Sequence, residues 1–395
     1  MDESTGYATR GRGLRLRIGV DITTANTRRT GIGYYAWELA KRLWMNKDSN
    51  DEMVFLFNSI RRSPPPLALH SSLGKAVRVR HIPGPALLQM WKWMDRPPVE
   101  ELAGPVDVFH SPATYIPPQL SGASVTTVHD LHFLDSPDDP QSALGGEYLN
   151  WVLRKRLRDM HAIIVPSQLT RDSLLRHFGD EQPDLDDRIH AMPWGVHKRF
   201  FGSPGREHTA SVRACHALDR PYILCVGKSE ERKNILTLQK AHALLCERMP
   251  DCPTLAIAGS GAMAGTAGIH TRLLGYVREF DLAALYHAAE VFVCPSYMEG
   301  FGMPVVEAMA ARVPVVVTQA AGCLEYLRPE SALKIDPTDA EAMADAIERA
   351  LTDSALRKRM VESAVLDASK LTWDACAKAT LKVYETAIER AGAMH

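Results

Sequence analysis

Short apolar, β-branched runs recur along this chain, and stretches of helical spacing lie between several of them. The run "LRIGVDIT" reads as a buried strand, and "GIGYYAWELAKRLWMN" after it has the 3.6-residue period of an amphipathic helix with glycines at its entrance. Further strand-like runs are "MVFLFN", "AVRVRHI", "VDVFHSP", "SVTTVHD" and "AIIVPSQ". "GEYLNWVLRKRLRDM" and "QLTRDSLLRHFG" read as intervening helices. Strands that are apolar throughout, alternating with helices, predict a parallel sheet covered on both faces.

The pattern restarts near residue 221. "YILCVG", "PTLAIAG", "TRLLGYV", "VFVCPS" and "VPVVVTQ" are the expected strands, and "NILTLQKAHALLCERM", "FDLAALYHAAE", "PVVEAMAAR" and "DAEAMADAIERALTD" the helices. The expectation is therefore α/β, with two Rossmann-like domains whose parallel sheets face each other across a cleft. Residues 1–14 read as a flexible tail, 15–200 as the N-terminal, acceptor-side domain, 201–220 as a polar linker and 221–370 as the C-terminal, nucleotide-sugar domain. The helix over 371–395 is expected to pack back across the boundary. Ligands of such sheets sit beyond the carboxyl ends of the strands, so the loops there are where chemistry is sought.

Length and composition agree with this. A chain of 395 residues exceeds one ordinary core. A formal net charge of -1 gives no reason to expect a nucleic-acid partner. No apolar run reaches the roughly 18 residues of a membrane span, and the polar N-terminus lacks a signal-peptide core. A cytoplasmic protein is expected, with peripheral contact at the inner face of the membrane as a further expectation. The seven cysteines lack CxxC spacing and are expected as buried free thiols.

The stretch "CPSYMEGFGMPVVEAMAARVPVV" carries the most chemistry. It places Glu299 in a loop after a strand and Glu307 one turn into the next helix. Pro304 suits a first helical turn, and the backbone N–H groups around Met303 to Val306 would form an anion site with the helix dipole. Carboxylates repel phosphate but accept hydrogen bonds from hydroxyls. A ligand with sugar hydroxyls on both sides of a phosphate, such as a nucleotide sugar, fits both features. The alternative is a plain loop glutamate and a paired, partly buried helix glutamate.

"EGFGMPVVEAMAARVPVV" resembles the E-x7-E motif of the retaining glycosyltransferases of family 4, which have the two-domain GT-B fold. "TGIGYYAWELAKRL", "GPVDVFHSP", "TVHDLHFLDSP", "AIIVPSQLTRDSLLRHFG", "RIHAMPWGVHKRFF", "ILCVGKSEERKNILTLQKAHALL" and "RLLGYV" with "DLAALYHAAEVFVCPS" look like the family's blocks in the family's order. The resemblance implies that Glu299 contacts donor-sugar hydroxyls and that Glu307 binds the nucleotide ribose. It implies that Phe301, Gly302 and Met303 hold sugar and phosphate through their backbone, with Val306, Gly227 and Tyr276 also on the donor side. Lys228 and Lys233 become candidates for the diphosphate, with Arg232 assisting. His129, at a strand end in "TVHD", would lie near the transferring sugar, so His129, Lys233 and Glu299 are the expected catalytic set.

Gly31 and Gly33 read either as a close backbone approach to diphosphate or acceptor, or as a tight turn. "PALLQMWKWMDRPP" reads as core, or as the lining of a lipid-linked acceptor site. Asp184 to Asp187 include a D-x-D that reads as a solvated turn rather than a metal site. "GSGAMAG" lacks the spacing of a dinucleotide fingerprint. Where the family usually has "NGVD" this chain has "WGVH", Trp194 to His197, and its segment after residue 259 is short.

The resemblance implies hexose transfer from a nucleoside diphosphate sugar to a hydroxyl of a glycan or lipid-linked acceptor. No metal and no cofactor beyond the co-substrate are expected. GDP-mannose is the favoured donor, in bacterial surface polysaccharide biosynthesis. The alternatives are a UDP-hexose-dependent synthase, a phosphorylase of the same fold, or an inactive nucleotide-binding relative.

Overall fold

A computed structural model describes residues 15–25, 31–59, 73, 76–136, 140–228, 230–260 and 270–393. The N-terminal tail and most of the short segment after residue 259 lie outside these. The first sheet comprises β1 (Arg17–Asp21), β2 (Glu52–Asn58), β3 (Val77–Arg80), β4 (Val108–Ser111), β5 (Ala123–Thr127), β6 (Ala162–Val165) and β7 (Ile189–Ala191). Its order is β3-β2-β1-β4-β5-β6-β7. The second comprises β8 (Tyr222–Val226), β9 (Thr254–Ala258), β10 (Thr271–Gly275), β11 (Val291–Cys294), β12 (Val315–Thr318) and β13 (Leu333–Ile335), in the order β10-β9-β8-β11-β12-β13. The paired strands run parallel.

Position in the sheet explains the composition of each strand. Every residue of β4, β5, β6, β11 and β12 is buried, which requires both faces to be covered. The edge strands β3 and β10 carry Arg78, Arg80 and Arg272 and are largely accessible. Charge on an edge blocks unwanted strand addition. Under the second sheet, Leu238, Leu245, Met343 and Ile347 from the helices Ile235–Arg248 and Ala340–Thr352 pack on Ile223, Ile257 and Val293.

The chain divides into two compact units. One contains Met1–Thr126, Asp159–Ala162 and Leu381–His395, and the other Thr127–Arg158 and Ile163–Thr380. The last helix, Trp373–Ala393, begins in the second unit and ends in the first. In the first unit its Tyr384 hydroxyl lies 2.8 Å from Nδ1 of the fully buried His110, which gives that histidine a packing role.

Two expectations need correction. The stretch expected as a polar linker contains the helix Arg206–Cys215, whose His208 ring packs 4.5 Å from Phe280. Its composition is polar and Val212 is its one buried residue, which is why it reads as a linker. The cysteines are not uniformly buried free thiols: Cys246 and Cys252 form a disulfide, and Cys215 is exposed. The pair is six positions apart in sequence, and a helix end turns them together. Gly31 and Gly33 lie within the first turn of the helix Gly31–Asn46, at its entrance as expected.

Candidate active site

Glu299 follows β11 and is held by its backbone. Its N–H donates to the Ala320 carbonyl and its carbonyl accepts from Gly322, both at 2.9 Å. This bridge stops the loop from sagging and turns the side chain inward, where only 7% of the residue is exposed. Three donors converge on the carboxylate. Lys233 Nζ and Ser296 Oγ each lie 2.5 Å from Oε1, and Arg232 donates to Oε2 at 3.2 Å.

The cations come from a 3-10 turn, Glu231–Lys233, which follows β8. Asn234 ends that turn in the left-handed conformation, with φ 52°, and its buried amide donates to Pro295 at 3.0 Å and Pro337 at 2.6 Å. The first bond fixes the turn against the loop that carries Glu299, and the second against the loop after β13. The Lys233 stem lies over Gly227, where an added Cβ would stand 3.2 Å from Cδ.

Burial alone would raise the Glu299 carboxyl. The Lys233 ammonium and Arg232 guanidinium, with the Lys233 and Ser296 hydrogen bonds, outweigh it and hold the pKa near about 2. Arg232 is opposed by burial and supported by Glu299, Asp130 and Glu230, and the net effect raises it further above its ordinary value. A carboxylate fixed in its ionised form is a hydrogen-bond acceptor and charge partner, not a proton donor at neutral pH.

Glu307 is the opposite case. It sits in the helix Met303–Ala310, is 8% exposed and accepts from the Tyr286 hydroxyl at 3.0 Å. Burial pushes its pKa up to about 8, against the Tyr286 hydrogen bond and the Arg199 charge. Its carboxyl is therefore largely protonated at neutral pH, able to donate one hydrogen bond as well as accept. Two carboxyl groups eight residues apart thus hold different protonation states, set by cations beside one and apolar burial of the other.

The start of that helix is tightly packed. Gly302 caps it with φ 97°, a conformation glycine adopts without a Cβ penalty. Pro304 lacks an N–H, and Val305 donates to the Gly302 carbonyl at 2.9 Å. Of the N–H groups expected at an anion site here, those of Pro304 and Val305 are thereby removed. Val306 is fully buried, so its side chain is core.

His129, just beyond β5, is 6% exposed, and its backbone meets the Glu299 loop. A Cβ at Gly300 would stand 1.9 Å from the His129 carbonyl oxygen. Ser167 Oγ donates to the Gly300 carbonyl at 2.6 Å from the other side. The His129 ring stacks edge-on to Trp194 at 4.8 Å, and Trp194 lies 5.5 Å from Phe301. Trp194, a departure from the family's usual residue, therefore fills the space between two expected site residues. His197 accepts from the Arg199 backbone N–H at 3.0 Å, and Arg199 pairs with Glu279 at 3.1 Å.

Lys233, Arg232 and Glu299 are thus in one cluster, with Phe301, Gly302 and His129 close by. Lys228 is exposed and donates its ammonium to Glu230 at 2.6 Å, and Glu230 also pairs with Arg232 at 3.4 Å. Tyr276 follows edge strand β10 and is 55% exposed. Gly31 and Gly33 belong to the other compact unit. Sequence reading passed over Ser296, Asn234 and Tyr286. Ser296 carried a signal, standing at the end of "VFVCPS", but one serine at a strand end has many uses. Asp184 pairs with Arg188, and Asp186 with Arg171, so both ends of the D-x-D are spent in ion pairs. Among the described residues, His242, Cys246 and Cys252 group metal-ligand atoms within 4.8 Å, but the two sulfurs are joined to each other.

Two family models match the chain: "Glycosyltransferase Family 4" over residues 29–199 and "Glycosyl transferases group 1" over 212–366. Between them they span most of it. A similar curated protein is the O-antigen chain mannosyltransferase B of Escherichia coli, 28% identical over 377 residues, 90% of this chain and 96% of that one. Among solved structures, sucrose-phosphate synthase from Thermosynechococcus elongatus superposes with a TM-score of 0.71 at 21% identity, over 94% of this chain and 98% of the other. HepE of Anabaena, solved in complex with UDP-glucose, gives 0.67 at 14% identity, over 93% and 100%. Two parallel α/β sheets, a buried glutamate held by two cations and these matches lead to one conclusion: the chain belongs to the family 4 glycosyltransferases of GT-B fold.

Proposed function

We propose that this glycosyltransferase moves mannose from GDP-mannose to a hydroxyl of a glycan or lipid-linked acceptor, with retention of configuration, in bacterial surface polysaccharide assembly. The observation that carries the site assignment is the buried Glu299 carboxylate held by Lys233 and Arg232. The mannose preference is supported by the near full-length similarity to an O-antigen chain mannosyltransferase.

In this reading Glu299 exchanges part of its cationic partnership for donor-sugar hydroxyls, and Lys233 and Arg232 turn toward the diphosphate. The bond from the anomeric carbon to the diphosphate oxygen breaks, and charge develops on that oxygen. Fixed cations in a buried site stabilise it, by about 3–4 kcal/mol for one lost donor. The acceptor oxygen bonds to the same face of the anomeric carbon, and its proton passes to the departing phosphate oxygen. His129 positions the sugar, Phe301, Gly302 and Met303 contact sugar and phosphate through their backbone, and Glu307 bonds the ribose. With lysine, arginine and backbone N–H groups meeting the diphosphate, the reaction runs without a divalent metal.

The test is a thermal-shift panel of GDP, UDP, dTDP and ADP, with and without EDTA, followed by donor turnover. GDP at a hundred times its dissociation constant should stabilise the protein by about 2.7 kcal/mol. A shift with UDP alone would replace the donor assignment by a UDP-hexose, the nucleotide sugar bound to HepE. Release of a sugar phosphate from glycan and inorganic phosphate would identify a phosphorylase instead.

A further inference from the structure

Tyr286 holds one oxygen of Glu307 and leaves the other open. It lies on the helix Glu279–His287, and Glu307 on the helix Met303–Ala310, so the bond between them joins two elements. The phenol donates to Oε2 at 3.0 Å. Among the described residues no other hydrogen bond or ion pair reaches the Glu307 side chain, so Oε1 has no protein partner. Oε1 nevertheless keeps access to solvent, although the residue as a whole is only 8% exposed. The neighbouring cation does not claim it, because the Arg199 guanidinium pairs with Glu279 at 3.1 Å.

Two features set this bond apart from ordinary packing. The first is rigidity. Tyr286 is fully buried, with its ring edge-on to Phe200 at 5.6 Å and tilted against Phe292 of β11 at 5.5 Å. These contacts fix the phenol oxygen, and through it Oε2. The second is the choice of acceptor. A buried phenol needs one acceptor, and a backbone carbonyl suffices. Tyr222 of β8, equally buried, donates to the Leu285 carbonyl at 2.6 Å, one residue from Tyr286. Meeting the same need with a carboxyl leaves a second oxygen, at a nearly buried position, without a protein partner. That is costly in a finished fold. A half-satisfied carboxyl whose free oxygen reaches solvent fits a group that a ligand completes.

We infer that Tyr286 is a positioning residue for donor binding: by occupying Oε2 of Glu307 it turns Oε1 toward the vicinal hydroxyls of the nucleotide's ribose. The inference rests on the reading of Glu307 as the ribose-binding residue and adds the group that orients it. The phenol acts through the carboxyl and does not itself touch the nucleotide.

GDP and UDP, each beside its 2′,3′-dideoxy counterpart, are titrated calorimetrically into the full chain. The nucleotide that binds more tightly is expected to lose about tenfold or more in affinity without its ribose hydroxyls. Tyr286→Phe keeps the ring and its contacts with Phe200 and Phe292, so it should fold. It should weaken the ribonucleotide about tenfold and leave the dideoxy form within about twofold of its wild-type affinity. Both affinities are read on the same folded variant, so a loss of stability alone does not change their ratio. Adding Tyr286→Phe to Glu307→Ala should add nothing to the loss that Glu307→Ala causes by itself, as expected of two residues acting through one group. Unchanged discrimination in Tyr286→Phe, equal weakening of both nucleotides, or additive losses in the double variant overturn the inference and leave the donor reading standing. Equal binding of ribo- and dideoxynucleotide by the wild-type protein removes the ribose assignment of Glu307, and the inference with it, while sparing the diphosphate site. Binding of neither GDP nor UDP overturns the donor reading itself and this inference together.

Discussion

Lys233 donates its ammonium to Oε1 of Glu299 at 2.5 Å, so the cation expected on the diphosphate and the carboxylate expected on the sugar are each other's partner. Removing Lys233 leaves the buried Glu299 to Arg232 and Ser296 alone, and removing Glu299 takes the carboxylate from Lys233, each at a cost of up to about 3–5 kcal/mol. Lys233→Met should therefore lose both stability, read by urea denaturation, and turnover, by about 10²–10³-fold. The double change Lys233→Met with Glu299→Gln should recover most of the stability and none of the turnover. Recovery of turnover would show that the pair serves only the fold.

The two glutamates should leave opposite marks on stability against pH. The Glu307 pKa is raised to about 8 in the folded protein, so the unfolded chain loses that proton first as pH rises. Its contribution is fully present below the unfolded carboxylate range and declines up to about pH 8, with a limiting slope of about 1.4 kcal/mol per pH unit. Glu307→Gln should flatten the curve between about pH 5 and 8. Glu299, held near about 2, contributes above the unfolded range and loses that contribution as pH falls toward its folded value. Glu299→Gln should remove a loss below about pH 4.5 and leave the neutral region's slope unchanged. Denaturation midpoints across pH read both.

Gly300 has no room for a methyl group, because the His129 carbonyl oxygen would lie 1.9 Å away. Gly300→Ala must push apart the His129 strand end and the Glu299 loop, at about 1–3 kcal/mol. Nucleotide affinity and turnover should fall together, even though no donor-contacting side chain is altered. A crystal structure of the variant should show the two segments displaced.

Trp194 stands between His129 and Phe301. Trp194→Ala should cost about 3–5 kcal/mol as a large buried side chain is deleted. Trp194→Phe should keep much of the stability while loosening the His129 ring. The expected signature is reduced turnover with nucleotide affinity preserved, measured by calorimetry beside the kinetic assay.

Tyr276, more than half exposed beside an edge strand, should be dispensable for folding. Tyr276→Ala is expected to leave the melting temperature unchanged and weaken nucleotide binding by about tenfold, comparable to the loss of one base–aromatic stack. Unchanged nucleotide affinity would remove Tyr276 from the donor site.

The sequence alone determined the parallel sheets, because runs such as "AIIV" and "VVVT" are apolar on both faces and must be covered. It also located Glu299, Glu307 and the Arg232–Lys233 turn, since strand-end loops and a proline-started helix are local signals. β7 and β13, three residues each, were too short to give a period, and the helix Arg206–Cys215 was hidden by its polar composition. The partnership of Lys233 with Glu299, spanning 66 positions, was decided only by the tertiary structure, as was the bracing of the Glu299 loop by Ser167 and His129. So was the division of the two glutamates into an ionised and a protonated carboxyl. Chain order fixes which groups are present, but protonation depends on burial and on charges brought near by folding.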